Sequence, residues 1–125
     1  MVASDLVKEW LSSEGYKATI DGDGDVKFKY QGLPMWATTD ENDKLFLRII
    51  MPGIYQVSDD RGKVLEIMNQ INMDLKIIKC FVVEDKVWLS VEMFVDSSPE
   101  IEDFFERCLD ILVAAFEKFR QEINK

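Results

Sequence analysis

An α+β fold, an antiparallel sheet packed with helices, is predicted by three features of this 125-residue sequence. Apolar residues recur at helical spacing at both ends and once in the middle, they alternate at period two in between, and turn-forming clusters punctuate the alternating stretches. The predicted order is α-β-β-β(-β)-α-β-β-α. A hydrophobic content of 47% with 31% charged residues and only 6 Gly and 3 Pro excludes disorder and collagen-like structure. A chain of this length hides about two thirds of the surface it exposes when unfolded, and no linker or repeat divides it, so residues 1–125 read as a single domain.

The first helix is predicted over residues 2–14, where Ala3, Leu6, Val7 and Trp10 share a face and Gly15 suits a left-handed C-terminal cap. From Lys17 to Met51 the period becomes two. Val26, Phe28 and Tyr30 alternate with Lys27 and Lys29, and Leu45, Leu47 and Ile49 alternate with Phe46, Arg48 and Ile50. Asp21-Gly22-Asp23-Gly24, Gln31-Gly32-Leu33-Pro34 and Asp40-Glu41-Asn42-Asp43 supply the reversals of a meander of up to four strands. Asp59 or Asp60 can cap a second helix with Val64, Ile67, Met68 and Ile71 on its apolar stripe. Strands over residues 75–83 and 87–95 flank a hairpin loop at Glu84-Asp85-Lys86. The last helix is predicted over residues 99–123, with Ser98 as N-cap, Pro99 in its first turn, and Glu100, Glu102 and Asp103 at the positive end of its dipole.

Composition narrows the chemistry. A net charge of −9, from 24 acidic and 15 basic residues, opposes binding to nucleic acid or an anionic membrane surface. With no His and 2 Cys, the chain lacks a catalytic imidazole and cannot complete a structural zinc site by itself. Cys80 and Cys108 lie among hydrophobic neighbours and are expected to be buried free thiols, which makes the cytoplasm the default compartment. Residues 1–13 lack the apolar core of a secretory signal, and runs such as residues 111–116 fall far short of the roughly 18 apolar residues of a membrane span. Asp21, Asp23 and Asp25 have the opening spacing of a calcium-binding loop. Val26 stands where that loop needs Gly and Gly32 where it needs Glu, so a solvated hairpin turn is expected, with no metal. Asp59-Asp60 and Glu84-Asp85 read as solvated turns, and Ser12-Ser13 and Ser97-Ser98 have no His partner. No catalytic set emerges and no cofactor is implied.

Two surfaces are candidates for binding. Phe46, Arg48 and Ile50 on one strand, and Trp88, Glu92 and Phe94 on another, stand opposite the faces predicted to form the core. This second sheet face is either covered by a helix, the favoured reading, or exposed as a protein-binding surface. The apolar arc of the last helix is wider than one sheet face can cover. Its central stripe of Phe105, Cys108, Leu112, Ala115 and Phe119 is expected on the sheet. Its flanks, Phe104 and Ile111 on one side and Leu109 and Val113 on the other, are expected to meet the other helices or a second subunit of a homodimer.

The stretch Val64-Leu65-Glu66-Ile67-Met68-Asn69-Gln70-Ile71-Asn72 is a helix with two Asn three residues apart. It is followed by Leu75-Lys76-Ile77-Ile78-Lys79-Cys80-Phe81-Val82, by the strand holding Trp88 and Glu92, and by the closing Phe116-Glu117-Lys118-Phe119. Together these resemble the YbjN family over nearly the whole chain. The resemblance implies a type III secretion chaperone-like fold. It also implies a bacterial regulatory or protein-binding module, since YbjN proteins are described as sensory-transduction regulators and the related chaperones bind unfolded segments of partner proteins. Asn69 and Asn72 look like the family's paired helix asparagines, able to bond neighbouring backbone or simply to end the apolar stripe. The expected function is therefore non-enzymatic binding of a partner protein through an apolar sheet or helix surface. The alternatives are a small-ligand sensor or enzyme with a pocket between helix and sheet, and a dedicated secretion-type chaperone.

Overall fold

In the computed structural model, which describes residues 3–38, 40, 42–95 and 100–125, the chain forms a six-stranded antiparallel sheet and three α-helices in the predicted order. Helix α1 (Ala3–Ser13) ends as the sequence predicts. Gly15 takes φ +86, and its N–H and that of Tyr16 donate to Ser12 and Leu11, a Schellman motif that satisfies the last carbonyls.

Strands β1 (Ala18–Ile20), β2 (Val26–Tyr30), β3 (Leu33–Thr38) and β4 (Phe46–Gln56) form the meander. Gln31 and Gly32, both at positive φ, make the two-residue turn between β2 and β3. Strand β4 runs beyond Met51, where the sequence pattern stops. Pro52 and Gly53 form a bulge rather than an end, with Gly53 at φ +62, and the strand resumes so that Tyr55 pairs with Val87.

Helix α2 (Arg61–Asp74) starts at Asp60, although the Asp60 side chain makes no capping bond. Strand β5 (Ile78–Val83) joins β6 (Lys86–Phe94) through Glu84 and Asp85, which both adopt positive φ. Strand order is β1-β2-β3-β4-β6-β5. The chain reaches α3 (Phe105–Ile123) through a 3-10 turn at Ile101–Asp103, so the regular helix begins later than predicted. Phe104, at φ −137, breaks the helical path between the two, and the break lets Ile101 pack into the core beside α1 while α3 lies on the sheet. The predicted cap Ser98 and Pro99 fall outside the described residues.

All three helices lie on one face. Val26, Phe28, Met35, Leu47, Ile49, Leu89 and Val91 point into that layer and are buried with Val7 and Leu11 of α1, Val64 and Ile71 of α2, and Phe105 and Leu112 of α3. Phe105 anchors the junction, edge-on to Trp10 at 5.0 Å and near Phe28 at 6.4 Å between ring centroids. Much of the wide arc of α3 is covered within the chain, by β5 and β6 below and by α2 beside it, with Trp10 of α1 against Phe105 at its start.

Candidate functional site

Because alternate strand residues point to opposite faces, burying Leu47, Ile49, Met51, Leu89 and Val91 under the helices turns Phe46, Arg48, Ile50, Trp88, Ser90, Glu92 and Phe94 to the other side. No described helix covers that side, which corrects the expectation that a helix shields it. The three described helices lie on the opposite face, where α3 packs on β5 and β6 and takes a neighbouring contact from α2.

The register assembles the face. Phe46 sits opposite Phe94, Arg48 opposite Glu92, and Ile50 opposite Ser90, with ring centroids of Phe46 and Phe94 5.7 Å apart. Strand β3 adds Trp36 beside Ile50, and β5 adds Lys79 beside Ser90 and Phe81 beside Trp88. Trp36, Lys79 and Phe81 were not singled out from the sequence, although the alternation of Lys79 and Phe81 with Ile78, Cys80 and Val82 carries the signal.

The centre is polar. Ser90, fully buried beneath its neighbours, donates its hydroxyl to Glu92 Oε2 at 2.7 Å. Lys79 Nζ lies 3.3 Å from the same oxygen, and Arg48 Nε lies 4.0 Å from Glu92 Oε1. Burial resists ionisation of Glu92. The Ser90 hydrogen bond and the Lys79 and Arg48 charges outweigh it and hold the carboxyl below its usual range. Arg48 Nε itself is buried with no hydrogen-bond partner among the described residues. Cations also sit over the rings: Lys27 is 5.0 Å from the centroid of Trp36, and Lys79 and Arg48 are 5.3 and 5.9 Å from that of Phe81. At the rim Phe94 is 72% exposed.

Of the second candidate surface, Leu109 is fully buried within its own chain, while Phe104, Ile111 and Val113 pack on the same core and stay partly accessible. Asn72 has the backbone-bonding role open to it from the sequence. Its side chain donates to the Cys80 carbonyl at 3.0 Å and accepts from the Cys80 N–H at 2.8 Å, clamping edge strand β5 to α2. Asn69 instead faces Met73.

Chemically reactive groups are muted elsewhere. Cys80 and Cys108 are buried free thiols, raised by burial from 9.0 to about 12 and about 11, so neither is a ready nucleophile at neutral pH. Asp21, Asp23 and Asp25 bring carboxylate oxygens within 4.8 Å of one another. One oxygen of Asp21 already accepts the N–H groups of Asp23 and Asp25 at 2.9 and 3.0 Å, which is turn chemistry. A groove of about 460 Å3 between the end of α2 and α3 is lined by Asp74, Leu75, Lys76, Arg107, Asp110, Ile111 and Ala114. Asp74 is paired with Lys118, and Asp110 accepts the Tyr30 hydroxyl at 2.7 Å. No described helix is long and apolar enough to cross a membrane.

No curated protein matches the chain. The YbjN family, whose description reads "putative bacterial sensory transduction regulator", matches residues 3–124. With nearly the whole chain covered by that match, the protein belongs to the YbjN family.

Proposed function

We propose that this chain is a non-enzymatic regulatory module of the bacterial cytoplasm that captures a partner protein on the helix-free face of its sheet. The observation that carries the reading is the cluster of Trp36, Ile50, Phe81 and Trp88 around the Arg48–Glu92–Lys79 network, on a face with no described helix above it. Aromatic anchors beside Arg, ringed by polar groups, are the composition of a protein-binding centre. The family description as a regulator supports the same direction, and two buried unpaired thiols suit a reducing compartment. A small-ligand or catalytic reading has less support. The groove beside α3 is open, and its carboxylates are already engaged with Lys118 and Tyr30.

Affinity capture at native salt tests the proposal. A partner retained by the wild-type chain should be lost with Trp88→Asp, because docking would bury an unpaired carboxylate. Retention of the same partner by a folded Trp88→Asp protein would refute the reading.

A further inference from the structure

Charge is segregated in this molecule. The chain carries −9 overall, yet the helix-free sheet face reverses the balance. Lys27, Lys29, Arg48, Lys79 and Lys86 point to it, and Glu92 is the acidic residue among the strand positions of that face. The basic residues also surround the apolar centre rather than lying apart from it: Lys27 stands over Trp36, and Lys79 and Arg48 over Phe81.

Building on the reading that this face docks a partner, we propose that it takes an extended acidic segment whose carboxylates flank an aromatic or aliphatic side chain. The apolar side chain lies against Trp88, which stands over a buried Ile50 and Ser90 layer, and the carboxylates pair with Lys27, Lys79 and Lys86. A carboxylate arriving at Lys79 relieves Glu92 of one partner. Glu92 can then close the 4.0 Å gap to Arg48 Nε, whose buried N–H has no acceptor among the described residues. The basic residues of this face attract an acidic segment and repel a basic one, while the negative charge elsewhere on the molecule keeps the acidic segment from docking there.

A single-stranded nucleic acid is the competing polyanion, and two observations disfavour it. Base stacking needs free ring faces, whereas the Trp36 and Phe81 rings carry the protein's own cations. A polyphosphate running past the face would also meet the −9 charge of the rest of the chain.

The test presents the full chain with three displayed peptide libraries of equal apolar content, rich in Asp/Glu, in Lys/Arg or in Ser/Asn, and with a fluorescent oligouridine. The acidic library should be enriched. Its binders should weaken about tenfold against Lys27→Glu and Lys79→Glu, stay unchanged against Lys8→Glu on α1, and be lost with Trp88→Asp. Phe94→Asp, at a side chain already 72% exposed, replaces Trp88→Asp if that variant does not fold. Binders drawn from the neutral or basic library and lost with the Asp variant overturn the acidic segment while sparing the docking face. Oligouridine bound and lost in the same way overturns it in favour of nucleic acid. Binders indifferent to the Asp variants, or none from any library, overturn docking on this face itself.

Discussion

Asn72 holds two backbone groups that would otherwise sit unpaired at the sheet edge. An antiparallel edge strand turns the N–H and C=O of alternate residues away from its neighbour, and at Cys80 both are taken by one side chain eight residues earlier in the chain. The amide of Asn is suited to this because it offers a donor and an acceptor in one plane, as a neighbouring strand would. Asn72→Ala should therefore lower unfolding free energy by roughly 1 to 3 kcal/mol, the cost of leaving partly buried groups unsatisfied. Chemical denaturation measures this, and an unchanged midpoint would show that water replaces the amide at no cost. Asn69, three residues earlier, bonds the Met73 sulfur at 3.4 Å and holds no backbone group among the described residues. The distinction between the two asparagines was not legible in the sequence, because helical spacing places them on adjacent turns but does not say which one reaches the strand.

At the level of elements, packing of β5 and α3 places both thiols in apolar surroundings, and β2 places Tyr30 beside Asp110 of α3. Each group is held in its neutral form: Cys80 is raised from 9.0 to about 12 and Cys108 from 9.0 to about 11 by burial, and Tyr30 from 10.0 to about 12 by burial and then the Asp110 hydrogen bond and charge. A raised pKa on an acid means that the folded state keeps a proton the unfolded chain has released, so the contribution is fully present below the unfolded value. Stability should therefore fall as pH rises from 9, with a limiting slope of about 1.4 kcal/mol per pH unit for each thiol, and Tyr30 should join above 10. Denaturation of the Cys80→Ala/Cys108→Ala variant should show little change between pH 9 and 10, and a wild-type curve flat over that interval would contradict the burial argument. Several elements were legible because their chemistry is local. Gly15 after Trp10 signals the end of α1, and Gln31-Gly32 signals a two-residue turn. The end of β4 was not legible, because the alternation breaks after Met51 at a bulge and only pairing of Tyr55 with Val87 shows that the strand resumes. The start of α3 was hidden for a similar reason, since Ile101 fits the helical period yet packs through a separate 3-10 turn.

For the whole molecule, the decisive feature is that all three helices share one side of the sheet. Sequence alternation identified Phe46, Arg48, Ile50, Trp88, Glu92 and Phe94 as a common second face. It could not tell whether a helix covered them, because periodicity gives the phase of each strand and not the side each crossover takes. The arc of α3 pointed to a need for extra cover, and α2 provides part of it on the core side, leaving the aromatic and basic face free of any described helix. A partner docked on that face should be reachable by a short-range cross-link from its centre and not from the opposite layer. The most direct measurement places a photoreactive benzophenone side chain at the position of Trp88 or, as control, at the exposed position of Leu65 on α2, and irradiates the native cell. Docking on the sheet predicts a covalent adduct with one partner protein from position 88 and none from position 65. Adducts from position 65 alone, or the absence of any from position 88 in a folded protein, would contradict it.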